Sequence, residues 1–143
     1  MAGPNRILLI GETARKHDEA SAAGTITPGF LIKHDANGAV VAHSTAYGGG
    51  ELMVAIENGL QGKMVSDNYV TGDKCFFHRP MRGDVLWMLL KATGGTAAID
   101  SDLASAGDGK LIVTGAATGA IKFKSMEAIP QAASDQRIRV RVP

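Results

Sequence analysis

The chain has 143 residues, enough for one domain with a modest core. Hydrophobic residues make up 45% of it and charged residues 20%, which excludes an intrinsically disordered chain. Fifteen basic residues face fourteen acidic ones for a net charge of +1, so the basic excess that general nucleic-acid binding needs is missing.

Eighteen glycines and five prolines favour short strands joined by turns. The single cysteine, Cys75, allows no internal disulfide, so stability is expected from packing or from partner subunits. The only apolar run near the start, Ile7 to Ile10, is far shorter than a signal h-region or a membrane span. A reducing cytoplasm is the expected site of synthesis, with no membrane association.

Residues 1–24 read as an extended N-terminal arm, and 25–143 as a β-domain. Glu12 to Ala23 has the makings of one or two helical turns, but its apolar residues are nearly all Ala and would bury little. The tag Arg6, Ile7, Leu8, Leu9, Ile10 needs burial. It either pairs onto the edge of its own sheet or adds a strand to a neighbouring protein.

From Gly24 onward, turn signals recur about every eight to twelve residues, the rhythm of an all-β sandwich or barrel. Thr27-Pro28-Gly29 opens the series and residues 30–33 form a strand. Asp35-Ala36-Asn37-Gly38 predicts a type I′ hairpin turn, with 39–42 as the return strand. A flexible loop follows at 44–50, then a strand at 51–58 with Leu52, Val54 and Ile56 on one face. After a long connection at 59–73 come strands at 74–78 and 84–90. Residues 85–90 are apolar on both faces, the mark of the most buried strand. Val85, Trp87 and Leu89 are the expected inner set, packing with Leu31, Val54, Ile56 and Ile138. A short strand at 96–99, a loop at 100–109, and strands at 110–113 and 121–129 complete the middle.

The last segment alternates cleanly. Ile138, Val140 and Val142 point one way, and Arg137, Arg139 and Arg141 the other. Such a cationic row is either solvated or set against acidic groups of another protein.

No pattern for chemistry emerges. Cys75 and His78 have a Cys-x-x-His spacing, but a structural zinc site needs four ligands in two close pairs, and His17, His34 and His43 supply no second pair. Three-residue spacing on a strand also points the two side chains apart. A Cys75–His78 nucleophile would need an orienting group and an oxyanion hole, and no Gly-x-Ser-x-Gly elbow or phosphate loop is present. No catalytic, cofactor-binding or metal-binding residue is therefore assigned. The tripeptide Arg82-Gly83-Asp84 spells an adhesion motif, but Gly-Asp recurs at 72–73 and 107–108. In each case the pair reads as a turn leading into a strand.

Taken in order, these stretches resemble the capsid decoration (cement, head-stabilising) proteins of tailed phages and prophages. "NRILLIGETAR" matches the family's short arm and "AAGTITPGFLIKHDANGAVVAHSTAYGG" its first turn and hairpin. "ELMVAIENGLQGKMVSDNYVTGD" carries its acidic residue after an apolar strand and the "lqGk…Gd" pattern. "HRPMRGDV", "DSDLASAGDGKLIV", "MEAI" and the closing "RIRVRV" follow. The likeness runs along nearly the whole chain and lies in order and spacing. It departs at 112–125, which is short and rich in Gly and Ala. The resemblance implies a small β-barrel or β-clip-like (β-tulip) domain that binds the outside of an assembled major-capsid shell. It further implies a homotrimer at three-fold or quasi-three-fold sites, made in the host cytoplasm, with the arm (Arg6 to Ile10) laid on the shell. It brings no catalytic residues and no cofactor. The alternative is a small β-type module for carbohydrate or cell surface, against which stands an aromatic content of only 5%.

Overall fold

Eleven short strands account for the architecture of the computed structural model, which describes residues 4–10, 18–114, 123–131 and 133–143. In chain order they are β1 (Leu8–Ile10), β2 (Asp18–Ser21), β3 (Ile32–His34), β4 (Val40–Ala42), β5 (Val54–Ala55) and β6 (Lys74–His78). Then follow β7 (Val85–Leu90), β8 (Asp102–Ser105), β9 (Leu111–Val113), β10 (Phe123–Ser125) and β11 (Gln136–Arg141). The described residues contain no α-helix, only one 3-10 turn at Gly59–Gln61. The all-β barrel expected from the turn rhythm is present.

Five strands close on themselves in the order β7-β11-β10-β8-β9 and back to β7. Closure is local. β9 meets β7 in parallel only at Leu90 and Leu111, while the first half of the same β7 edge is taken by β1, with Leu8 opposite Leu86 and Ile10 opposite Val85. The N-terminal strand thus fills the part of the seam that β9 does not reach. Together β9 and β1 cover the β7 edge that an open sheet would leave unpaired.

The barrel interior is one apolar cluster that includes Ile7, Leu31, Leu86, Met88, Leu103, Leu111, Phe123, Ile138 and Val140. On β11 the alternation holds: Ile138 and Val140 are inside and the arginines outside. On β7 the expectation is reversed in part. Val85 is buried, but Leu86, Met88 and Leu90 fill the barrel, whereas Trp87 and Leu89 are only half-buried on its outer side. Pairing explains the phase. Ile138 lies opposite Met88 and Val140 opposite Leu86, and directly paired residues share a face.

A second layer caps the barrel. A three-stranded sheet in the order β2-β6-β5 and the β3–β4 hairpin enclose a smaller cluster containing Ile26, Ile32, Val40, Met53, Cys75 and Phe77. Leu31 joins the layers, bridging to Val54 and donating its N–H to the Gly109 carbonyl at 2.7 Å.

Several local expectations change. Residues 18–21 are a strand paired with β6, not helix, and Ala22 and Ala23 donate to Asp73 and Val40 carbonyls. Residues 7–10 and 18–23 are therefore integral to the sheets rather than an extended arm; residues 12–17, within the stretch given helical potential, lie outside the described residues. The 35–38 turn is not type I′, because Gly38 is left-handed (φ 80) and Asn37 is not among the positive-φ residues. Asp35 holds the turn by accepting from the Asn37 and Ala39 N–H groups at 2.8 and 3.0 Å. Residues 96–99 contribute a single bridge, Ala97 to Ile129, and the 100–109 loop contains β8.

Candidate functional site

The predicted tag and the cationic row come together at one place. β11 carries Arg137 beside Trp87 of β7, and residues 4–7 cross the same corner. The connection 63–66 covers it, leaving an open groove of about 340 Å³ lined by Pro4, Asn5, Met64, Val65, Trp87 and Arg137. The bonds that build it run between distant segments. Trp87 donates its N–H to the Ile7 carbonyl at 2.7 Å. Val65 donates to Asn5 Oδ1 at 3.1 Å, and Arg137 Nη2 donates to the Val65 carbonyl at 2.7 Å. Glu57, the acid that follows the 51–56 apolar stretch, accepts the Ile7 N–H at 2.9 Å.

Arg137 is the keystone. Burial pulls its guanidinium below the usual arginine range, and the nearby Glu57 carboxylate pushes in the other direction. Room for it comes from Gly29, which closes the Thr27-Pro28-Gly29 turn at φ +95. A Cβ there would sit 2.6 Å from Arg137 Nη1 and 3.1 Å from the Trp87 carbonyl. The turn motif singled out in the sequence is thus a floor on which the half-buried arginine rests.

The other two arginines of the row are met within the chain. Arg139 Nη2 lies 3.7 Å from Glu127 Oε1, and Arg141 Nη2 donates to Asp100 Oδ1 at 2.7 Å. The need for external acidic groups, which motivated a partner contact through Arg137, Arg139 and Arg141, is removed by Val65, Glu127 and Asp100. Within the tag, Ile7 is fully buried and Leu8 is 7% exposed, so their side chains belong to the chain's own core and are not available to a neighbour. Arg6 and Ile10 remain exposed and Leu9 half-exposed. The sequence could not separate these because a four-residue apolar tag pairs equally well with its own or a foreign edge.

The Cys75–His78 stretch is structural in its surroundings. Cys75 is fully buried in the capping layer, and burial pushes its thiol up to about 12, far from a thiolate at neutral pH. His78 Nε2 lies 3.0 Å from Asp84 Oδ2, and the same oxygen accepts the Met81 N–H at 2.9 Å. The Asp of Arg82-Gly83-Asp84 is 9% exposed and occupied in closing its own turn, so the tripeptide is not presented as an adhesion loop. His43 is likewise committed: Nδ1 lies 2.8 Å from Ser105 Oγ and Nε2 3.2 Å from the Gly49 carbonyl, pinning the 44–50 loop to β8. His17 lies outside the described residues. Among the described residues, no three His, Cys, Asp or Glu side chains cluster as metal ligands, and no helix is long and apolar enough to cross a membrane.

Against known proteins, the chain matches no family model and no curated protein.

Proposed function

We propose that the chain is a viral capsid decoration (cement) protein. It binds the outside of an assembled major-capsid shell of a tailed phage or prophage and stabilises it, as a homotrimer at three-fold or quasi-three-fold sites. No nucleic acid, membrane or cofactor takes part in this role. The observation that carries the reading is the ordered set of family-like turn motifs, several of which have a structural task in the fold. Gly29 seats Arg137, His43 pins the 44–50 loop, and Asp73 and Asp84 each close a turn leading to or into a strand, with Val70 and Met81 as donors. A chain whose motifs are spent on shape is suited to passive binding.

A rigid small barrel can act as a clamp without moving parts. A ligand that binds only the expanded lattice stabilises that lattice by its differential affinity, and symmetry-repeated weak contacts add through avidity. Exposed apolar side chains suited to such contacts include Ile10, Leu60 and Ile99, at 64%, 88% and 66% exposure. Because Arg139 and Arg141 already have carboxylates, attachment is expected to depend on salt less than a bare arginine row would require.

Co-sedimentation with expanded and unexpanded shells tests the reading. Binding to expanded shells alone, with density at three-fold positions in images of the particle, is the expected result. Failure to bind either shell overturns it.

A further inference from the structure

The connection between β5 and β6 folds into three turns that line a cavity of about 320 Å³, at the low end of the range for ligand sites. One turn is capped by Asn58, whose Oδ1 accepts the Gln61 N–H at 3.3 Å. The others lie at 64–67 and 70–73. Tyr69 forms a rigid base between them: its hydroxyl donates to the Ile56 carbonyl at 2.7 Å, and the ring is 4% exposed. Burial holds its phenol well above the usual tyrosine range, so it stays neutral.

Some basic side chains here meet a carboxylate, as Lys91 meets Asp108 and Lys110 meets Asp135. Lys63 and Lys74 line the cavity and meet none among the described residues. Asn58 is 8% exposed, yet no hydrogen bond among the described residues engages its Nδ2. Asp67 and Asp73 each use Oδ2 to cap a turn, accepting from Met64 at 2.7 Å and Val70 at 2.9 Å, and no hydrogen bond among the described residues engages either Oδ1. Two ammonium groups and a buried amide therefore offer donors, and two carboxylates offer acceptors, with no net charge between them.

We propose that this cavity binds a neutral, hydroxyl-rich ligand, a sugar ring. A hydroxyl both donates and accepts, so vicinal hydroxyls can bridge a carboxylate oxygen and an ammonium or amide in one step. A plain anion would meet the two carboxylates, and a plain cation the two lysines. No exposed aromatic ring lies in the cavity for stacking, so the affinity is expected in the millimolar range. The site adjoins the Trp87–Arg137 groove through residues 63–67, and it does not depend on capsid attachment.

The test is a two-dimensional amide NMR titration of the full chain. The probes are glucose, galactose, mannose and N-acetylglucosamine, with glutamate and inorganic phosphate as charged comparators. At least one sugar should give saturable shifts confined to amides of 58–74. Lys74→Ala and Asn68→Ala change exposed side chains that line the cavity, the Asn68 amide being a further donor and acceptor there, and each should weaken that binding about tenfold, the worth of one well-placed hydrogen bond. The wild-type spectrum outside 58–74 reports that each variant is folded. The proposal is overturned by saturation with no sugar, by saturation with glutamate or phosphate instead, or by sugar shifts that both variants leave unchanged.

Discussion

Truncation of residues 1–10 is expected to destabilise the barrel, not merely to shorten an arm. Ile7 is fully buried and Leu8 nearly so, both within the main core. Burying one such side chain is worth roughly 1.5–3 kcal/mol, so removing two costs about 3–6 kcal/mol. The Trp87 N–H also loses the Ile7 carbonyl, and a backbone donor without a partner costs about 1–3 kcal/mol when water cannot replace it. Chain entropy regained by the deleted segment offsets part of this. The net loss, about 3–6 kcal/mol, is a large share of the roughly 5–15 kcal/mol available to a domain. Urea unfolding at 25 °C, followed by Trp87 fluorescence, measures it. The truncated chain should unfold at a much lower midpoint, and the single change Ile7→Ala should cost about 2–5 kcal/mol. A truncated chain within about 1 kcal/mol of the parent would show that the seam is closed by β9 alone, and that β1 is a dispensable strap.

Other outcomes follow from single contacts. Gly29→Ala should cost about 1–3 kcal/mol in urea unfolding, through its left-handed backbone and the approach to Arg137; in an Arg137→Ala background the penalty should shrink but not vanish, because the φ strain remains. His43→Ala leaves Ser105 Oγ and the Gly49 carbonyl without the ring, and should cost about 1–3 kcal/mol and raise hydrogen exchange across 44–50. Asp135 accepts from the Ala92 N–H and from Lys110, and both interactions hold its carboxyl below the usual range. A depressed folded-state value means its contribution is present above the ordinary aspartate pKa of about 3.9 and is lost as pH falls through the folded value. Asp135→Asn should therefore lower the unfolding midpoint at neutral pH, with an effect that shrinks as pH falls below about 3.9, and an effect unchanged by acid would refute the assignment.

The turn rhythm made the all-β class legible, and the strands with one polar face were placed well. Residues 74–78 form β6 over the whole predicted span, and 39–42 and 110–113 differ by one residue from β4 and β9. Misplacements have physical causes. β8 is Asp-Leu-Ala-Ser, bounded by two turn-forming residues and without a β-branched side chain, and its state is decided by β9 and β10, which flank it on both sides. β2 reads as weak helix from its alanine and charge, but long-range pairing with β6 decides its state. At the groove, Trp87 and Arg137 were visible as residues, whereas their union with Asn5, Val65 and Glu57 depends on segments that lie 50 to 72 positions apart. The 58–74 cavity carried no motif, because turns expose Lys, Asn and Asp for solvation as readily as for binding.

The phase of β7 shows where a single sequence could have gone further. An apolar run on both faces gives no preference between Val85, Trp87, Leu89 and their neighbours Leu86, Met88, Leu90. The β11 alternation has no such ambiguity, since three arginines cannot line a core. In an antiparallel pair the inner residues of one strand face the inner residues of the other. Pairing β11 with β7 therefore transfers the unambiguous phase to the ambiguous strand, but the two choices of register differ by one residue and flip every side chain. The register Ile138 to Met88 settles it, and it is held by Arg137, whose reach to Val65 and rest on Gly29 would be lost on slippage. The outward Trp87 is a consequence: with the even-numbered residues committed to the barrel, the one tryptophan of the chain is left on the outer surface, against the groove where the N-terminal strand enters.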